Sequence, residues 1–221
     1  IKLNMKNVNI HVLAGNPLLR PYAQMIKKEA NKAARMISKY IHLSEMDIVI
    51  AHRPENIGSA GSGRISMQIK NKHLANIAID VKHKYFKKFF YIDLLEALAY
   101  TSYRIVRLQK VGYSKNLLED CIEDGLAFNF QTEVTGDKFE PYFMAMKNIK
   151  AFKRVVLKAK KEFYSTRYSH DDWFDGSKKR NIQQFAGYII GYALIKHFLK
   201  INPHFMPSQL IGKKAKYFDL R

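Results

Sequence analysis

Helical periodicity is strongest at 93–133, where apolar residues recur three and four apart in two consecutive blocks. Leu94, Leu95, Leu98, Ile105 and Val106, with Ser102, share one face of the first block. Leu117, Leu118, Cys121, Ile122, Leu126 and Phe130 share a face of the second. Val111-Gly112-Tyr113-Ser114 breaks the pattern, and Ser114 is the expected N-cap of the second helix. Upstream, 7–14 alternates as a strand does. Asn16-Pro17 then turns the chain into a helix carrying Tyr22, Ile26, Ala30, Ala33, Ile37 and Tyr40 on its apolar face. Strands follow at 47–51, 64–69 and 76–81, the last two linked by a polar turn. The Gly- and Ser-rich loop at 52–63 matches no phosphate-loop spacing. Downstream, 142–164 reads as an amphipathic helix with Ile149, Phe152, Val156 and Phe163 inward. The stretch 185–199 is a nearly all-apolar helix whose Gly187 and Gly191 permit close helix approach.

This order predicts an α+β fold and one domain over 1–221. A small mixed sheet with a long helix occupies 1–90, and 91–221 is helical. The helix at 93–110 is expected under the sheet.

Composition adds a core and a charge. At 221 residues and 47% hydrophobic, the chain is expected to bury about 70% of its unfolded surface. One cysteine excludes an internal disulfide. No run of 18 apolar residues occurs, so no ordinary transmembrane segment is expected, and a soluble, cytoplasmic protein is favoured. Thirty-eight Lys and Arg against nineteen Asp and Glu leave +19. Such a surface attracts nucleic acid, an anionic membrane, or an acidic protein or peptide, although a merely solvated Lys-rich surface has the same composition. The densest basic face is that of the 142–164 helix: Lys147, Lys150, Lys153, Arg154, Lys158, Lys160 and Lys161. These residues are candidate phosphate contacts. The competing reading is a solvated face whose long stems shield the core. No base-reading motif accompanies the charge.

Lone chemistry-bearing residues add little. His170, Asp171 and Asp172 are adjacent and cannot share a helix face, so the two aspartates are expected to cap a turn that Trp173 anchors in the core. His197 is expected to be a partly buried structural residue.

The two central blocks, LLEALAYTSYRIVR and LLEDCIEDGLAFNF, resemble a family of predicted zinc-dependent proteases of the zincin type. In that family the first helix carries L-A-H-E-x-H-H-x-x-R and the second L-x-E-G-L-A. Leu98-Ala99, Arg107 and Asp124-Gly125-Leu126-Ala127 keep the frame. Trp173-Phe174-Asp175-Gly176 and Gly187-Tyr188-Ile189-Ile190-Gly191-Tyr192 match its later W-F-x-G and G-Y-x-x-G-Y blocks. The resemblance runs from about Ile48 to Leu220. It implies a zincin-like fold in which 64–81 supplies the substrate-pairing edge of the sheet.

What the resemblance does not carry over is the metal chemistry. Two His at i and i+4 would grip zinc from one helix face, with the Glu between them as general base. Tyr100 and Arg104 stand at the His positions, Thr101 at the base and Asp124 at the expected third ligand. A guanidinium has no acceptor and cannot ligate a metal. The expectation is therefore a degenerate metallopeptidase homologue with no catalytic residues, metal or cofactor, which binds a peptide or polyanionic partner. Two alternatives stay open. A protease with a rearranged site would need a new His pair, and the chain contains no H-x-x-x-H. A nucleic-acid-binding module would use the zincin frame as scaffold only. Losing the metal would also strand Asp124, so Arg104 is expected to pair with it directly, with Tyr100 alongside.

Overall fold

The computed structural model describes residues 5–57, 64–136, 141, 144 and 149–218, with backbone alone at 149–152. Four strands, β1 (Met5–Val12), β2 (Leu43–His52), β3 (Ile65–Asn71) and β4 (Leu74–Ile79), form one sheet in the order β1-β2-β4-β3. β1 and β4 both run parallel to β2, while β3 pairs antiparallel with β4. The helices are α1 (Ala23–Ile37), α2 (Phe86–Val111), α3 (Leu117–Thr135), α4 (Ile149–Glu162), α5 (His170–Phe174) and α6 (Ala186–Ile201). The architecture is α+β, with the sheet in the N-terminal half and helices dominating the rest. Among the described residues, no helix is long and apolar enough to cross a membrane.

The period of two puts Ile10, Met46, Ile48, Ile50, Ala75, Ile77 and Ile79 on one buried face of the sheet. α1 packs under β1, and α2 packs under β2, β4 and β3. The central helix therefore lies beneath the sheet, as its place after the strands predicts. Only β3 is the exposed edge on the α2 side. β4 sits between β2 and β3, so the substrate-pairing edge expected over 64–81 reduces to β3.

α2 begins at Phe86, seven residues before the periodic stretch, because Phe86 and Phe90 are buried among flanking lysines. It ends at Gly112, whose φ of 89° lies where side-chain-bearing residues rarely go, and whose N–H donates to the Leu108 carbonyl. Asn116, not Ser114, caps α3: its side chain accepts from the Glu119 N–H at 3.0 Å. α3 is buried nearly all round because α2 covers one side and α6 the other. The α3–α6 contact requires glycine on both helices. A Cβ on Gly191 would lie inside the Cys121 carbonyl, and one on Gly125 inside the Gly191 carbonyl. The C-terminal segment is tied to α2 by Tyr103, which donates to the Pro207 carbonyl at 2.9 Å. Arg107 adds bonds to the Ile211 and Lys213 carbonyls at 3.0 and 2.8 Å.

Candidate functional site

On α2 the spacing 93, 96, 100, 104 places four polar side chains along one face. α3 crosses that face with Asp124 and Glu123. Arg104 Nη1 donates to Asp124 Oδ1, and Arg104 Nε donates to Glu123 Oε1 at 3.0 Å. The Tyr100 hydroxyl donates to the same Asp124 oxygen and accepts from Arg104 Nη1 at 2.8 Å. Ser114 Oγ completes the network by donating to Glu123 Oε2 at 2.8 Å. The hydroxyl read as a helix cap is thus spent on the second carboxylate of the cluster. Arg104, Asp124 and Tyr100 stand together as the aligned positions predict. Glu123 was not anticipated, although its place beside Asp124 was the available signal.

The cluster is deep. The side chains of Asp124 and Glu123 are 5% and 7% exposed, and that of Arg104 is 19% exposed. The Tyr100 ring packs on Phe128 at 4.8 Å, which in turn meets Tyr188. Burial pushes the Tyr100 hydroxyl well above its ordinary range, with Arg104 pulling the other way. It therefore stays a hydrogen-bond donor. Burial likewise raises the Asp124 carboxyl, and Arg104 and Tyr100 offset part of that shift. Burial alone would lower the Arg104 guanidinium, but Asp124, Tyr100 and Glu123 outweigh it and keep the cation protonated. Thr101, at the position of the base, is fully buried, and its hydroxyl has no hydrogen-bond partner among the described residues.

Toward the sheet, Arg64 beside β3 grips Asp93 with two bonds, at 2.5 and 2.8 Å, and its guanidinium lies 4.7 Å from the Phe89 ring centre. This pair ties the edge strand to the start of the polar face. Glu96 lies between the two clusters, and its carboxyl is pushed up to about 7 by burial and by Asp93, against the pull of Arg64. Asp120, one turn before Asp124, rises to about 6, chiefly through burial. Periodicity alone could have found Glu96, three residues after Asp93 and four before Tyr100. Among the described residues, no group of three or more His, Cys, Asp or Glu side chains could hold a metal ion.

The basic face of α4 is separate in chemistry. Lys153, Arg154, Lys160 and Lys161 are exposed, and Lys158 is half-buried with its ammonium on the Arg180 carbonyl. Lys147 and the side chain of Lys150 lie outside the described residues. Arg154 and Lys158 border a pocket of about 390 Å³ with Lys178 and Arg180. Arg180 is committed to Glu162 and Asp172, so it cross-braces α4 and α5 rather than facing a ligand freely. Ser169, not the aspartates, caps α5. Trp173 is fully buried as expected, and its indole donates to Glu162 at 3.1 Å. His197 is exposed, contrary to its reading as a partly buried residue: it falls on the outer side of α6, beside exposed Lys196.

Among known proteins, the family model described as Predicted Zn-dependent protease (DUF2268) matches residues 94–218. No curated protein and no solved structure matches the chain. The matched span starts within α2 and includes the whole Tyr100–Arg104–Asp124 cluster.

Proposed function

The chain belongs to the family of predicted zinc-dependent proteases (DUF2268), and from that premise we propose that it is a non-hydrolytic member that acts by binding a peptide or polyanionic partner. The observation that carries the proposal is the Arg104 guanidinium, bonded to Asp124 and Glu123 on the facing helix. The resemblance places a His ligand there, and Arg104 instead supplies a permanent cation with no lone pair to offer. The remaining donors are the Tyr100 phenol and the Asp124 and Glu123 carboxylates, all three already committed to Arg104. A dication entering this cluster would meet a fixed positive charge, so the residues present do not fit zinc. Thr101 cannot replace a carboxylate base: it is buried, and a hydroxyl holds its proton at any ordinary pH. In this reading the ion pair takes over the metal's structural task of joining the two helices. The exposed edge of β3 is left as a binding surface.

The polyanion half of the reading rests on α4, where four exposed cations stand near a pocket bordered by further basic residues. Each lysine or arginine that meets a phosphate would contribute a sequence-independent contact.

The test is elemental analysis of the purified protein, together with hydrolysis of a generic peptide substrate with and without chelator. Substoichiometric zinc and no hydrolysis are expected. About one equivalent of zinc with chelator-sensitive proteolysis overturns the proposal. The combined variant Tyr100→His, Thr101→Glu and Arg104→His restores the ligand pattern and is expected to take up zinc where the parent does not.

A further inference from the structure

The start of α2 presents a surface that the Arg104 cluster does not involve. We propose that the exposed face shared by the start of α2 and by α1 is a docking surface for an anionic lipid bilayer.

The segment Lys82–Ile92 reads KHKYFKKFFYI, alternating basic and aromatic residues without an acid. Folding sorts them. Phe86 and Phe90 turn into the core, while Lys82, Lys84, Lys87 and Lys88 stay exposed. Tyr91 and Ile92 project beside them at 56% and 41% exposure, high for large apolar side chains. At 100° per residue, Lys87, Lys88, Tyr91, Ile92 and Leu95 fall within an arc of about 140° on one side of the helix. Across that side, α1 and α2 enclose a groove of about 540 Å³ floored by Ala33, Met36, Leu94 and Leu95. On the α1 rim Lys32 is flanked, one turn either way, by exposed Lys28 and Arg35. Among the described residues the one acid lining the groove, Glu29, lies 3.8 Å from Lys32.

Charge complementarity selects an anionic partner, and the apolar part selects lipid. A nucleic-acid platform needs free ring faces for base stacking. Here the lysine ammonium of residue 84 lies 4.8 Å from the Tyr85 ring centre, and Phe89 is covered by Arg64 and Lys88 at 4.7 and 5.1 Å. The projecting Ile92 has no π face, and the groove floor is aliphatic. Tyrosine at headgroup depth, an aliphatic neighbour below it and lysine stems reaching for phosphate are the elements of an interfacial contact.

The test is co-sedimentation of the full chain with vesicles of phosphatidylcholine alone and of an equal mixture with phosphatidylserine, at low and high salt. Binding is expected only with phosphatidylserine and is expected to weaken with salt. The set Lys84→Gln, Lys87→Gln and Lys88→Gln should weaken it about a hundredfold, at about fivefold per lysine near the surface. Removing the same charge from α4 with Lys153→Gln, Arg154→Gln and Lys160→Gln should weaken it far less. Emission from Tyr91→Trp should be quenched by lipid bearing nitroxide on the acyl chain, because the native Trp173 is fully buried. Failure to bind phosphatidylserine vesicles, equal loss from the two lysine sets, or no quenching overturns the proposal. So does single-stranded RNA that depends on Tyr91 and Ile92 more than the vesicles do. None of these results bears on the Arg104 cluster.

Discussion

Arg104→Ala is the sharpest probe of the central cluster. The substitution removes a cation from between two carboxylates whose side chains are 5% and 7% exposed. It leaves Asp124 with the Tyr100 hydroxyl alone and Glu123 with Ser114 alone. Breaking a buried pair by removing one partner costs about 3–5 kcal/mol, because a charge is stranded. The 19% exposure of the Arg104 side chain places the expectation at the lower end, about 3 kcal/mol. An exposed arginine would cost about 0.5 kcal/mol or less. The converse change, Asp124→Asn, leaves Arg104 its bond to Glu123 and should cost about 1–2 kcal/mol. The double variant should lose less than the sum, with a coupling of about 1–3 kcal/mol.

The sign with pH follows from the same geometry. Burial already holds the Asp124 carboxyl above its unfolded value, with Arg104 offsetting part of that shift, and without Arg104 it rises further. Its favourable contribution is then present at low pH and lost as pH rises through the folded value. The destabilisation by Arg104→Ala should therefore be larger at pH 8 than at pH 5. Urea denaturation followed by Trp173 fluorescence measures it, since that residue is the only tryptophan and is fully buried. A loss below about 1 kcal/mol, or a loss equal at both pH values, would refute the assignment of a buried pair.

Three further outcomes are expected. Gly191→Ala places a methyl group inside the Cys121 carbonyl and should destabilise by about 3 kcal/mol or more, seen as a fall in the urea midpoint, whereas Gly212→Ala, whose methyl group would meet Lys110 Cδ in ordinary contact at 3.9 Å, should not. Glu96 rises from 4.5 to about 7, so its contribution is present below the unfolded value and lost as pH rises through about 7. Glu96→Gln should gain about 1–2 kcal/mol over the parent at pH 8, after solvent screening, and nothing at pH 4.5. If α4 binds a polyanion, neutralising Lys153, Arg154, Lys160 and Lys161 should flatten the salt dependence of binding by about 0.7–0.9 per lost phosphate contact. An unchanged slope in a heparin or RNA titration would place the contact elsewhere.

By itself the sequence determined the features that rest on local periodicity. Helix spacing put Tyr100 and Arg104 on one face, the break at Gly112 returned the chain, and the block at 124–127 brought Asp124 opposite. The Arg104–Asp124 pair was legible only with the family resemblance added, which aligned both residues with metal-ligand positions, since a stranded buried carboxylate needs a cation. The α+β order was legible from periodicity, because the strands of period two, with one helix among them, all precede the run of helices of period 3.6. Only the tertiary structure decided the partners that depend on competition between groups. Ser114 and Asn116 both qualify as caps, but Asn116 is extended and meets the Glu119 amide, while Glu123 takes the Ser114 hydroxyl. The start of α2 was hidden because lysines flank Phe86 and Phe90, and burial, not composition, separates them. Strand order, which makes β3 rather than β4 the edge on the α2 side, and the Arg64–Asp93 grip beside it both arise from contacts between residues distant in the chain. No local propensity encodes those contacts, because they form only once the sheet and α2 have packed together.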